Sequence, residues 1–339
     1  MTDESESNSS RSLLRELASS RWVKIAIAVC IVYLLVRFNR LNWNALAGLR
    51  DTWPWLLLSF ALMLPPFLIV SYRFQLLLRS QRIDVSFPLA LRWTMIGSLF
   101  DLSMPSSNGG DVVKAGYVAA YVGSGMRIRA VAAVAMDRVL GLLGLFLLAG
   151  IVSVFNWHVV SAMPGGAFLL LTSLATTFGV LAAFRLLGSR RLYQHRWLNL
   201  QLESSSIGKR IRQIVAAFNE LREQPSYLFS ALGLSVLNHV FWCVSLICIA
   251  RAVGYEVQPI KAFAVFPLAI FGNVFGVAGG FGVGTAGFDF ILSALLGIGN
   301  GALIGLIFQT LSSASKLGGV PFYLASSKSA VRDDDMKQT

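Results

Sequence analysis

Two pairs of charged residues lie inside apolar stretches of the sequence, where a charge is costly unless it is paired or functional. Asp111 and Lys114 follow a Gly-Gly pair, and Asp137 and Arg138 lie about two turns into a strongly apolar segment. A helix that begins near Asp111 would present free N–H groups, and Lys114 would add a positive charge, so this segment is suited to binding a phosphate. Charged residues inside segments that are apolar enough to lie in a membrane usually mark a functional site.

A structural role for the same residues is the alternative. Asp111 would then cap the helix while Lys114 extends to the aqueous phase. Asp137 and Arg138 would form a buried ion-pair network with Asp101, Asp111 or Lys114, and removing one partner of such a network is costly.

Two more charges lie in apolar segments near the C-terminus, and we expect Asp289 and Lys316 to pair with each other. The predicted substrate site therefore consists of Asp111, Lys114, Asp137, Arg138, Asp289 and Lys316. The three histidines are far apart, and the glycines of 280–284 lack the lysine of a phosphate-binding loop. We expect no metal, no cofactor and no catalytic residue.

The elements that position these charges are membrane helices. Of the 339 residues, 55% are hydrophobic and only 14% are charged, whereas a soluble domain has about 25% charged residues. The net charge of +12 comes from Lys and Arg between the apolar runs, which is the positive-inside pattern. The fold class is therefore an all-α polytopic membrane protein, with spans predicted at 23–37, 53–70 (kinked at Pro65-Pro66), 130–155, 167–187, 227–250 and 301–325.

Two further apolar segments, 89–121 and 262–296, are broken in the middle. The first break contains Pro105, Gly109 and Gly110; the second contains Gly279, Gly280, Gly282 and Thr285. Broken backbone is tolerated in a membrane only inside protein or beside a water-filled cavity. We predict two re-entrant helix pairs that enter from opposite sides, as in an inverted repeat, and line one polar cavity near the midplane. Two irregular full spans are the alternative for the first segment.

The basic flanks place both termini and the linker 185–225 in the cytoplasm. Apolar residues at helical spacing over 207–221 predict an amphipathic helix in this linker, lying either on the membrane surface or on the protein's own cytoplasmic face. The predicted domains are a disordered tail, 1–20, a transmembrane domain, 21–326, and a second tail, 327–339.

Three motifs occur in the order and spacing of one known family. They are MPSSNGGDVVKA at 104–115, RAVAAVAMDRVLGLL at 129–143 and GGFGVGTAGF at 279–288. The chain resembles the lysylphosphatidylglycerol synthase transmembrane region family, also called the flippase-like domain family. Lys114 stands where that family usually has Arg, Ala278 where it has Pro, and Thr285 where it has Glu; Asp289, one turn on, is a candidate substitute for that carboxylate.

The resemblance implies a flippase or transporter that moves an anionic or modified (glyco)lipid across the bacterial cytoplasmic membrane. In some relatives a soluble aminoacyl-transfer domain follows the membrane region; because the chain ends at Thr339, we expect no synthase activity. The expected partners are membrane lipids as substrate, a separately encoded lipid-modifying enzyme and a second copy of the chain, with no nucleic acid. The alternative function is a membrane-embedded transferase, or an accessory subunit, that acts on a lipid-linked sugar.

Overall fold

A computed structural model of the chain describes residues 48–103, 109–187, 206–274 and 280–325. Within these ranges the backbone is helical and no β-strand forms. The α-helices are α1 (Trp53–Leu62), α2 (Pro65–Ser80), α3 (Phe87–Ser103), α4 (Gly109–Tyr121), α5 (Arg127–Phe155), α6 (Trp157–Ser161), α7 (Gly166–Leu187), α8 (Ser206–Arg222), α9 (Pro225–Ala252), α10 (Pro259–Asn273), α11 (Val283–Leu296) and α12 (Gly301–Lys316).

Four segments of the described chain are long and apolar enough to cross a membrane: Trp53–Ser80, Ser124–Phe155, Gly166–Ala183 and Pro225–Ala252. They contain four of the predicted spans, so the prediction of an all-α polytopic membrane protein is confirmed. The predicted first span at 23–37 and both tails lie outside the described residues. Large apolar side chains cover the outer surface of these helices, including Leu171 and Phe178 of α7, as expected for a surface that contacts lipid.

Prolines divide the first of these segments into α1 and α2. Pro65 and Pro66 occupy the first turn of α2, where a missing N–H costs nothing because no helical acceptor is available there. The kink predicted at this position is therefore confirmed. The helix continues beyond residue 70, the predicted end of this span: α2 reaches Ser80, and Leu76 to Leu78 are buried in the protein core.

The first broken segment forms two helices, α3 and α4, that pack tightly against each other. A Cβ on Gly97 of α3 would lie 2.9 Å from the carbonyl oxygen of Gly110, and a Cβ on Gly110 would overlap the carbonyl of Gly97. Glycine at both positions is what lets the two backbones touch. The helices have 17 and 13 residues, fewer than the roughly 20 needed to cross a bilayer core. Pro105 and its neighbours at 104–108 lie outside the described residues.

The second broken segment forms the short helices α10 and α11, of 15 and 14 residues. They pack against each other, and α11 packs against α12. Residues 275–279 of the break, including Gly279, are not described. Gly280 and Gly282 have φ angles of 111° and 79°, in the region that favours glycine. These lengths suit half-helices, and membrane re-entry from opposite sides stays a prediction.

The last predicted span, 301–325, is interrupted. Helix α12 ends at Lys316, a 3₁₀ turn covers Leu317–Gly319, and helical backbone resumes over 320–325. The physical reason is a close approach to α3: a Cβ on Gly319 would overlap the carbonyl oxygen of Met95.

The amphipathic helix predicted over 207–221 is α8, and its C-terminal half packs on the protein itself. Ala217 and Leu221 are buried against Leu77 of α2 and Met136 of α5. The side chain of Gln81 donates to the carbonyl of Ala217 over 3.0 Å. Of the two predicted positions for this helix, the structure therefore supports packing against the protein's own face.

Candidate functional site

The described helices line a partly open cavity of about 690 Å³. It lies between α2, α3, α4, α5, α9, α10 and α12, so both broken segments contribute to its wall. Asp137, ten residues into α5, is about 15 Å from the start of that helix at 1.5 Å per residue.

Asp137 is the centre of the charge network. Its Oδ1 accepts a hydrogen bond from Nε of Arg73 over 2.7 Å, and its Oδ2 accepts one from Nζ of Lys114 over 2.9 Å. All three side chains are buried. The ammonium of Lys114 also lies 3.5 Å from the ring centre of Phe74, and Nη1 of Arg73 donates to the hydroxyl of Ser235 over 2.7 Å. One buried carboxylate thus pairs with two buried cations.

Two more ion pairs line the cavity. Arg138 donates to Asp111, and this pair is more accessible than the pair of Lys316 and Asp101, with side chains 46% and 25% exposed. Lys316 of α12 lies 3.8 Å from Asp101 of α3, beyond ordinary hydrogen-bond distance. Asp101 also accepts from the N–H of Gly110 over 2.8 Å, so it is Asp101 that binds the free backbone donor at the start of α4.

The positive and negative charges around the cavity do not sum to zero. Among the described residues that line the cavity, the cations are Arg73, Lys114, Arg138 and Lys316, and the carboxylates are Asp101, Asp111 and Asp137. With His239 neutral, the cavity has one surplus positive charge. An anion is the ligand that such a site stabilises.

Three residues of the cavity lining each have a buried polar atom without a partner. Within the described residues, these atoms are the side-chain carbonyl oxygen of Asn238, Nδ1 of His239 and the hydroxyl of Thr94. His239 is held by its other nitrogen, Nε2, which lies 2.9 Å from the carbonyl oxygen of Gly141. The three atoms are covered by protein and do not face the cavity, and they are exceptions to the rule that buried polar atoms are hydrogen-bonded.

Apolar side chains also line the cavity, among them those of Val70, Leu142, Leu145, Trp242, Ile270 and Phe308. A cavity with both charged and apolar lining residues can hold a molecule that has both kinds of group.

Gln309 of α12 holds the second break in place. Its amide nitrogen donates to Asn273 Oδ1 and to the carbonyl of Gly280, both over 2.9 Å, and its oxygen accepts from the hydroxyl of Thr285 over 2.7 Å. Gln309 is completely buried. Thr285 and Gly280 therefore fix the backbone beside the cavity through Gln309, while Asn273 lines the cavity directly.

The predicted pair of Asp289 with Lys316 is wrong. Asp289 is buried and accepts a hydrogen bond from the N–H of Ala302 over 3.2 Å, at the start of α12. Ala302 and Lys316 are fourteen residues apart on one helix, or about 21 Å at 1.5 Å per residue, so one carboxylate cannot contact both. Asp289 does not line the cavity, whereas the other five predicted site residues do.

Three site residues were missed or undervalued by the sequence analysis: Arg73, Asp101 and Gln309. Arg73 was taken for a basic flank, although the apolar residues that follow it indicate that the helix continues. Asp101 entered only as a candidate partner for other charges, although it too lies in an apolar helix. Gln309 was not considered, and its position in an apolar span was the available signal.

A comparison with known families decides what kind of protein this is. The family model described as the lysylphosphatidylglycerol synthase TM region matches residues 21–313. The chain belongs to this family. No curated protein and no solved structure matches the chain significantly.

Membership of the lysylphosphatidylglycerol synthase TM region family confirms the predicted resemblance. Together with the apolar helices, it makes the chain a multi-pass membrane protein that handles lipids. Within the described residues, no cluster of three or more His, Cys, Asp or Glu side chains could hold a metal ion.

Proposed function

We propose that this protein is a lipid flippase or transporter that moves an anionic phospholipid or glycolipid across the bacterial cytoplasmic membrane without changing it covalently. The observation that carries the proposal is the cavity with one surplus positive charge and apolar lining residues, in a chain with four segments long enough to span a bilayer. A lipid needs both: charged groups to replace the water lost from its phosphate, and an apolar surface for its chains.

The barrier to lipid movement is the headgroup. Polar groups that enter hydrocarbon without partners cost several kcal/mol each, and charges cost more. The cations around Asp137 lie within the length of the apolar helix α5 and could offer donors to a phosphate there. The cavity thereby lowers the barrier for an anionic headgroup.

The ion pairs suggest how a phosphate would be accommodated. Arg138 and Asp111 are partly exposed, so a phosphate can reach Arg138 without first dismantling the buried network around Asp137. The longer contact, 3.8 Å between Lys316 and Asp101, joins α12 to α3 of the first broken segment. In this proposal both pairs open and re-form as the headgroup passes, while the Arg73–Asp137–Lys114 network keeps its place.

The proposed orientation has both termini and the linker 185–225 in the cytoplasm. Basic residues gather at one end of the helix bundle: Arg79 in the last turn of α2, Arg82 after it, Arg127 and Arg129 at the start of α5, and Arg222 at the end of α8. Arg129 pairs with Glu220 over 2.9 Å, which brings α5 and α8 together at this end. The connection between α5 and α7, residues 156–165, contains no Lys or Arg. The positive-inside rule places the basic end in the cytoplasm.

The test is translocation in liposomes that contain the purified protein and fluorescent phospholipids, with the outward-facing label removed by a membrane-impermeant reductant. Lys114→Ala removes a buried cation that makes a charge-assisted hydrogen bond, worth about 1.5–3 kcal/mol. We expect about ten- to hundredfold slower translocation of an anionic lipid, and a smaller loss for Lys114→Arg, which keeps the charge.

The matched control is Arg79→Ala, which removes a cation from the exposed pair with Asp84 outside the cavity. Its rate should equal that of the wild type. Normal translocation by a correctly folded Lys114→Ala protein would falsify the proposed role of the cavity. Mass spectrometry of the recovered lipids separates the alternatives: a chemically altered lipid would indicate a transferase, and neither movement nor alteration would indicate an accessory subunit.

A further inference from the structure

Asp101 is the least firmly paired carboxylate among the described residues that line the cavity. Its Oδ1 accepts from the neutral N–H of Gly110, and its Oδ2 lies 3.8 Å from Nζ of Lys316, beyond hydrogen-bond distance. By contrast, both oxygens of Asp137 accept from buried cations, and Asp111 accepts from a guanidinium. Because charge-assisted hydrogen bonds are the strong ones, Asp101 is the carboxylate whose charge can change most easily.

Packing, and not this ion pair, holds the helices of Asp101 and Lys316 together. Immediately after Lys316 the chain forms a 3₁₀ turn, and a Cβ on Gly319 in that turn would overlap the carbonyl oxygen of Met95 on α3. The end of α12 and α3 therefore stay in contact when the charges on the two side chains change. The pair can open by a change of charge and a side-chain rotation, without separation of the helices.

An anionic headgroup would compete with Asp101 for Lys316. Both side chains line the cavity and are 15% and 19% exposed, so a phosphodiester in the cavity can reach Nζ of Lys316. The other charged groups near Asp101 are Arg138 of α5 and Asp111 of α4, which already pair with each other. Once Lys316 turns to the phosphate, Asp101 is a largely buried carboxylate without a cation of its own. Such a charge is costly, and the group becomes neutral by taking up a proton.

The charge balance of the cavity agrees with this uptake. With its three carboxylates ionised and His239 neutral, the cavity has one surplus positive charge. One anion and one proton together leave that surplus unchanged, so the empty and the loaded cavity carry the same charge. We propose that the protein is a proton–lipid symporter: a proton from water forms an O–H bond to Oδ2 of Asp101 when a headgroup binds, and returns to water when the headgroup leaves. The inference rests on the proposed function, because it concerns transport through the same cavity.

The test is lipid accumulation in liposomes with a pH difference across the membrane and the membrane potential held at zero by valinomycin and potassium. A difference of about one pH unit is a tenfold difference in proton concentration, worth about 1.4 kcal/mol. Because protons run toward the alkaline side, symport should concentrate fluorescent phosphatidylglycerol in the leaflet that faces this side, by up to about tenfold. Liposomes without protein correct for unassisted movement.

The wild-type result separates the inference from the proposed function. Equal amounts of lipid in the two leaflets, or accumulation toward the acidic side, would show movement without symport and would overturn the inference. Failure of the wild-type protein to move the lipid at all would instead refute the proposed function.

Asp101→Asn keeps an oxygen for the N–H of Gly110 but cannot take up a proton. In the same gradient this variant should not concentrate the lipid. The control Asp84→Asn, whose carboxylate lies outside the cavity on a side chain that is 89% exposed, should concentrate the lipid like the wild type. Wild-type accumulation by Asp101→Asn would assign the proton to another group, such as His239 of α9, and refute the role of Asp101.

Proton uptake on binding tests the same step without transport and without a variant. Short-chain phosphatidylglycerol is titrated into the wild-type protein in weakly buffered detergent, and a pH indicator reports the protons taken up. We expect up to about one proton per lipid bound, and infrared difference spectra in which a carboxylate becomes a carboxylic acid. Lipid binding without proton uptake, or without the carboxylic acid band, would overturn the inference even if Asp101→Asn does not fold.

Discussion

Replacing Asp137 with asparagine tests whether the buried network holds the cavity together. Asp137 accepts hydrogen bonds from Arg73 over 2.7 Å and from Lys114 over 2.9 Å, and all three side chains are buried. Asparagine keeps the size of the side chain but removes its charge, and its NH₂ group would face one of the two cations. Two buried cations would then have no anion between them.

Removing one partner of a buried ion pair costs about 3–5 kcal/mol, because the remaining charge is left without compensation. We therefore expect Asp137→Asn to lower the free energy of unfolding by at least about 3 kcal/mol. The control is Asp84→Asn, whose pair with Arg79 is exposed, with 89% of the Asp84 side chain accessible. Exposed pairs contribute only about 0–1 kcal/mol.

The assay is equilibrium unfolding in mixed micelles titrated with a denaturing detergent, followed by tryptophan fluorescence. A second variant sharpens it: Lys114→Met added to Asp137→Asn restores the original surplus of one positive charge. The double variant should be more stable than Asp137→Asn alone. If Asp137→Asn unfolds at the same detergent fraction as Asp84→Asn, the network does not stabilise the fold and our reasoning about it is refuted.

Three further predictions concern the packing and the orientation of the helices. Gln309→Leu should lower the unfolding free energy by about 2 kcal/mol or more in the same assay, because it leaves two buried groups and one partly buried group beside the second break without their hydrogen bonds. The control Gln213→Leu, at an exposed position, should have no measurable effect. Gly110→Ala should sharply reduce the yield of folded protein, since its Cβ would overlap the backbone of α3. The control Gly116→Ala, on the same helix, adds a Cβ that meets no atom within 4 Å and should be tolerated. Equal yields of the two variants would contradict the close packing of α3 and α4. On a cysteine-free background in intact cells, an impermeant thiol reagent should label Ser161→Cys and not Gln213→Cys; labelling of Gln213→Cys from outside would reverse the proposed orientation.

The sequence alone predicted the class of protein and most of the charged site. Apolar runs of span length follow directly from the thickness of the hydrocarbon core, so the membrane helices could be located without any tertiary information. The cost of a charge in hydrocarbon is also local, which is why Asp111, Lys114, Asp137 and Arg138 were recognisable as site residues. The broken segments were recognisable because proline and glycine disfavour a helix whatever surrounds it.

Only the tertiary structure decided which charges meet. Lys316 pairs with Asp101 of α3 and not with Asp289, because 14 residues of helix separate the two ends of α12 at which these contacts form. Arg73 looked like a cytoplasmic flank and is instead a partner of Asp137, 64 positions further along the chain. A sequence shows the cost of burying each charge, but the partner that offsets this cost is set by which helices pack together, and in this protein the partners come from helices far apart in the chain.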